Sequence, residues 1–122
     1  PAPLGQRDEK AEAAGCTHYI SFHCNAGGGH GTEVYYRDEQ DRKFAEIVYN
    51  CAINTLGLPK RGIKSEAQSQ HPRLSIFDFD GKACLLEIGF IDNAQDRFKM
   101  NNRTLRIEFA RRLIGELKAS QS

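Results

Sequence analysis

Two hydrophobic rhythms alternate along the chain. In Thr32-Glu33-Val34-Tyr35-Tyr36, β-branched and aromatic residues repeat with period two, which predicts a strand. Around His18 to His23, and again from Cys84 to Ile91, the apolar run is nearly continuous, as in strands covered on both faces. Leu74-Ser75-Ile76-Phe77 predicts another short strand, and Arg61-Gly62-Ile63-Lys64 a short extended segment. Between these stretches the period lengthens. Phe44, Ile47, Val48, Cys51, Ala52 and Leu56 recur at spacings of three and four, predicting an amphipathic helix over 39–56 that Gly57 closes and Pro59 stops. Leu105, Phe109, Leu113 and Leu117, with Ile114 beside them, predict a final helix over 104–118, after a short helix and loop over 94–102. The charged, alanine-rich stretch Gln6 to Ala14 predicts a helix on the sheet surface, capped by Gly15. The alternation implies an α/β three-layer sandwich: a mostly parallel or mixed twisted sheet with helices on both faces.

Composition narrows this little. A chain of 122 residues, 39% hydrophobic and 27% charged, fits one domain, 1–122. The net charge of +1 argues against general nucleic-acid binding. The basic C-terminal part, from Arg97 to Lys118, is most simply a solvated helix face, with an anionic polymer as the alternative partner. No apolar run suggests membrane insertion, and the first residues show no signal peptide. Four cysteines without CxxC spacing predict reduced, buried thiols and folding in a reducing cytosol.

Chemistry concentrates at two strand ends. His23 closes the run Tyr19-Ile20-Ser21-Phe22 and is followed by the glycine loop Ala26 to Gly31. A histidine there suits metal ligation or acid–base work, or a core hydrogen bond. Glu87 interrupts the second run, and burying an unpaired carboxylate costs several kcal/mol, so a cation or a raised pKa is expected beside it. Two such interruptions predict one shared site. His30 and His71 read as exposed loop residues, and Glu33 as a hydrogen-bonded structural or substrate-contacting carboxylate.

The ordered motifs Ile-Ser-Phe-His-Cys-Asn-Ala, Gly-Thr-Glu-Val-Tyr-Tyr, Arg-Gly-Ile-Lys and Leu-Glu-Ile-Gly-Phe-Ile-Asp-Asn resemble the zinc-dependent N-acetylmuramoyl-L-alanine amidases of the amidase-3 type, over Leu4 to Leu117. The resemblance implies a peptidoglycan hydrolase of bacteria or phage endolysins. It cuts the amide between N-acetylmuramic acid and the L-alanine of the stem peptide. By the same resemblance His23 stands at a zinc-ligand position and Glu87 at that of the catalytic carboxylate. Asn25, Glu33 and Tyr35 are the expected substrate contacts, with Tyr36 and the glycine loop nearby. The family's two further zinc ligands, a histidine and a glutamate upstream, have no counterpart here. The expectation is a fragment without the opening strand and helix of the domain. An inert wall-binding module and a zinc peptidase of similar architecture are the rival readings. The free thiols favour a lysin that folds in the cytoplasm and reaches the cell wall at lysis.

Overall fold

The structure, a computed structural model, describes residues 17–65 and 81–120. The predicted helix at 6–14, the predicted strand at 74–77, Cys16 and His71 lie outside the described residues. In chain order the elements are β1 (His18–Asn25), β2 (Thr32–Tyr36), α1 (Glu39–Leu56), β3 (Lys60–Ser65), β4 (Lys82–Phe90), α2 (Ala94–Met100) and α3 (Arg103–Ser120). The four strands form one mixed sheet in the order β1-β4-β2-β3. Strand β4 runs parallel to β1 and antiparallel to β2, and β3 is parallel to β2. The α/β class and the mixed sheet are as predicted.

Helix α1 starts where Asp38, in an extended conformation, accepts a hydrogen bond from the Gln40 backbone N–H. It ends at Gly57, whose φ of 68° and N–H to the Ile53 carbonyl make a left-handed cap. Its stripe of Phe44, Ala45, Val48, Cys51 and Ala52 packs with Val34, Cys84 and Leu86 of the sheet and Phe109 and Leu113 of α3. Burying each large side chain of this kind contributes roughly 1.5–3 kcal/mol. Among the described residues both long helices therefore cover the same face of the sheet. The opposite face carries Ser21, Glu33, Tyr35, Leu85 and Glu87 by strand alternation.

Three local readings change. Tyr36 lies opposite Cys84 and packs against the helix-side core, because it is one position out of phase with Tyr35. Cys51 and Cys84 are free and buried as expected, but Cys24 is free and exposed. It shares its face of β1 with Phe22, itself 54% exposed, at an edge of the described sheet. Ile114, beside the α3 stripe, is also exposed. No helix among the described residues is long and apolar enough to cross a membrane.

Candidate functional site

The strand register assembles the site. His23 is the direct partner of Glu87 across the parallel β1–β4 pair, and Glu33 is the partner of Glu87 across the antiparallel β4–β2 pair. Partners in register point to the same face, with Cβ atoms about 4.5–5.5 Å apart in an antiparallel pair. One imidazole and two carboxylates thus stand in a row across three strands. The sequence brought His23 and Glu87 to strand ends; the ladder makes them neighbours.

The two carboxylates have opposite surroundings. Glu33 is 2% exposed and surrounded by donors. Its Oε1 accepts from Asn25 Nδ2 at 2.7 Å and from the Tyr35 hydroxyl at 3.3 Å. Its Oε2 meets Lys64 Nζ at 2.5 Å and Arg61 Nε at 3.5 Å. Burial pushes this carboxyl up, but the hydrogen bond and charge of Lys64, with Arg61 and Asn25, outweigh it and hold it below its ordinary value. Glu33 is therefore a permanent anion at neutral pH. The Tyr35 phenol is pushed up to about 12, first by burial and then by Glu33.

Glu87 has no such support. Its Oε2 is buried without a hydrogen-bond partner. Burial, and then the charge of Glu33, push its carboxyl up to about 7. A carboxyl at that value both takes and returns a proton near neutral pH. Next to it, His23 Nε2 lies 2.8 Å from Ser21 Oγ, a contact that orients the ring.

The rim is a fastened loop. Gly27 and Gly28, at φ of 115° and 82°, aim their N–H groups at Asp92 Oδ2, at 3.1 and 2.8 Å. Those two bonds hold the exposed Asp92 carboxyl below its ordinary value. At the other end of the loop, fully buried Asp96 accepts from the backbone N–H groups of Gly31 and Phe90, each at 2.8 Å, and bonds His30 Nδ1. His30, expected as an exposed loop residue, is instead anchored and partly covered, because a buried carboxylate lies within its reach.

Asp96, Arg61 and Lys64 were not singled out as functional by sequence reasoning. Asp96 follows Asn93 by three positions, which in sequence is the mark of a helix start, and Asn93 does cap α2. Arg61 and Lys64 read only as part of an extended segment.

The donor types at His23 and Glu87 suit a zinc ion, and the unpartnered Glu87 Oε2 is the kind of atom a cation satisfies. A zinc site takes about three protein ligands, however. Among the described residues no group of three or more His, Cys, Asp or Glu side chains could hold a metal. Of the described residues, His23 and Glu87 are the two that bring such donors together, in register across β1 and β4.

The profile of one family, described as N-acetylmuramoyl-L-alanine amidase (amidase-3), matches residues 2–118. No curated protein matches. Among solved structures, the chain is similar to the catalytic domain of CwlV, an N-acetylmuramoyl-L-alanine amidase from Bacillus (Paenibacillus) polymyxa var. colistinus. There the TM-score is 0.77 at 26% identity, over 92% of this chain and 62% of that one. It also resembles the N-acetylmuramoyl-L-alanine amidase AmiC2 of Nostoc punctiforme, with TM-score 0.80 and 24% identity over 99% of this chain and 67% of that one. The catalytic domain of the CD27L endolysin targeting Clostridia difficile shares the fold at TM-score 0.71 and 21% identity, over 92% of this chain and 62% of that one. The chain thus spans 62–67% of the length of these relatives.

Proposed function

The chain belongs to the N-acetylmuramoyl-L-alanine amidase family, and from that membership we propose that it cleaves peptidoglycan at the amide joining N-acetylmuramic acid to L-alanine, with Glu87 as the general base. The observation that carries this is the Glu87 carboxyl, raised to about 7, with a buried unpaired oxygen in register with His23. Ionised Glu87 takes a proton from the attacking water and, once protonated, delivers it to the departing alanine nitrogen. The transfers need no second acid. Ser21 holds the His23 ring, and His23 serves as one ligand of a zinc ion. That ion, when bound, acidifies water and polarises the amide carbonyl. Asn25 and Tyr35 serve the substrate groove through Glu33, whose position they fix.

The site of action on this reading is the bacterial cell wall, for a phage lysin or a cellular enzyme alike. Purified peptidoglycan treated with the zinc-loaded protein should release stem peptides with a new N-terminal alanine. The Glu87→Gln variant should lose about 10²–10⁴ of that rate with its fold intact. Release of reducing sugar ends or of internal peptide termini instead would refute the amidase reading, and undiminished cleavage by Glu87→Gln would refute the base.

A second reading, wall binding without cleavage, draws on the lack of a three-ligand metal group among the described residues. It expects sedimentation with peptidoglycan but no zinc retained after dialysis.

A further inference from the structure

Strand β3, at an edge of the described sheet, carries a feature that the proposed cleavage chemistry leaves unused. Its pairing with β2 slips by one residue: Thr32 faces Lys60, but Glu33 already faces Gly62. Arg61 is the extra residue of this bulge, and Gly62 takes the positive φ of 97°. Bulges break a ladder locally and re-aim one side chain, and they gather beside active sites.

The re-aimed side chain is held on three sides. The Arg61 guanidinium lies over the Phe90 ring, 4.8 Å from its centroid. Phe90 is buried and backed by Gly29, where even a Cβ would come within 2.3 Å of the ring. Arg61 Nε points to Glu33 Oε2 at 3.5 Å. A Cβ at Gly31 would press on the Arg61 Cγ at 3.1 Å. With its plane stacked and its Nε engaged, the two Nη groups form a fork with no hydrogen-bond partner among the described residues, on a side chain that is 36% exposed. Such a fork matches the two oxygens of a carboxylate, and its immobilisation lowers the entropy lost on binding. Charge points the same way: among the described residues, Lys64 and Arg61 both pair with the one carboxylate of Glu33.

We propose that the Nη fork of Arg61, with Lys64 beside it, is a subsite for a free carboxylate on the peptide portion of the substrate. The proposal rests on the amidase reading for the peptide's identity but not for its test. Two inter-strand steps separate the Glu87 and Gly62 backbones, about 10 Å at about 4.8 Å each, and the Arg61 guanidinium reaches back from there over Phe90 and Glu33. An extended peptide covers that span in about three residues. The carboxylate recognised therefore sits within about three residues of the cleaved amide.

The test is binding, kept apart from turnover. An N-acyl tripeptide beginning with alanine, amidated at its C-terminus and with free side carboxylates on residues two and three, is titrated into the full chain by calorimetry or NMR. The same peptide with both side carboxyls amidated as well is the comparison. The acid should bind about tenfold tighter than the amide. Arg61→Gln should bring the two within about twofold, and Arg61→Lys, which keeps charge but loses the fork, should fall between. The preference should also shrink as salt rises from 0.05 to 0.5 M, values chosen to span Debye lengths of roughly 14 to 4 Å. Equal binding of acid and amide, no binding of either, or a preference that survives Arg61→Gln overturns the proposal. If the acid binds through Arg61 but peptidoglycan yields no new N-terminal alanine, the cleavage reading fails and the subsite stands.

Discussion

Replacing Glu87 with glutamine should make the protein more stable in alkali while it slows the proposed reaction by about 10²–10⁴. The unfolded chain has an ordinary carboxyl at this position and releases its proton as pH passes about 4.5, whereas the folded chain keeps it until about 7. Between those values the folded state binds more protons, so the stability due to this group falls as pH rises, and the full penalty is present above 7. Holding a carboxyl at about 7 rather than 4.5 costs the ionised form about 3.4 kcal/mol, at about 1.36 kcal/mol per pH unit. Glu87 is only half-buried, and the water that reaches it reduces this to about 1.5 kcal/mol. Glutamine has the same shape and never ionises. Urea unfolding at pH 4 and pH 8, with a chelator present so that no metal stabilises the carboxylate, should show wild type and Glu87→Gln alike at pH 4. At pH 8 the variant should be about 1.5 kcal/mol more stable, or about 5 °C higher in Tm. A difference between the two proteins that does not change from pH 4 to pH 8 would refute the reasoning. Glu87 would then not be titrating in that window.

Two further substitutions test what surrounds it. Glu33→Gln removes the anion in register with Glu87, so the Glu87 carboxyl should titrate about one unit lower, at the Coulomb strength of a pair screened nearly as in bulk water; carboxyl-labelled NMR would follow it, and an unchanged midpoint would assign the shift to burial alone. Asp96→Asn weakens the two backbone bonds and the His30 contact at a fully buried position, at a cost of about 1.5–3 kcal/mol. Amide exchange at Gly31 and Phe90 should accelerate by more than that at the α1 core, and uniform acceleration would show that Asp96 anchors no particular loop.

The elements were legible wherever one face of a segment had a single neighbour to satisfy. Helix α1 spans the residues that its three-four spacing marked, because Phe44, Val48, Ala52 and Leu56 all meet one apolar sheet. His23 and Glu87 stood out because a polar residue at the end of an apolar run is costly wherever it lands. Their adjacency was not legible in the same way. It depends on strand order and register, which join residues 64 positions apart. Glu33 was recognised as hydrogen-bonded, but its partners Lys64 and Arg61 come from a strand 27 or more residues on, displaced by a bulge that no local pattern announces. The anchoring of His30 by Asp96 was hidden likewise, since an aspartate in a first helical turn is explained well enough by the helix itself.

The row of His23, Glu87 and Glu33 belongs to the backbone lattice rather than to loops. Each of the three is spaced from the next by interstrand hydrogen bonds, with β4 as the member common to both pairs. Catalytic alignment in such an arrangement has no hinge of its own. It is as rigid as the sheet itself, and it should disappear only when that sheet comes apart. Heat would then end the proposed activity and melt the domain in one event, and adaptation to cold would have to work on the rim rather than on the three side chains in the row.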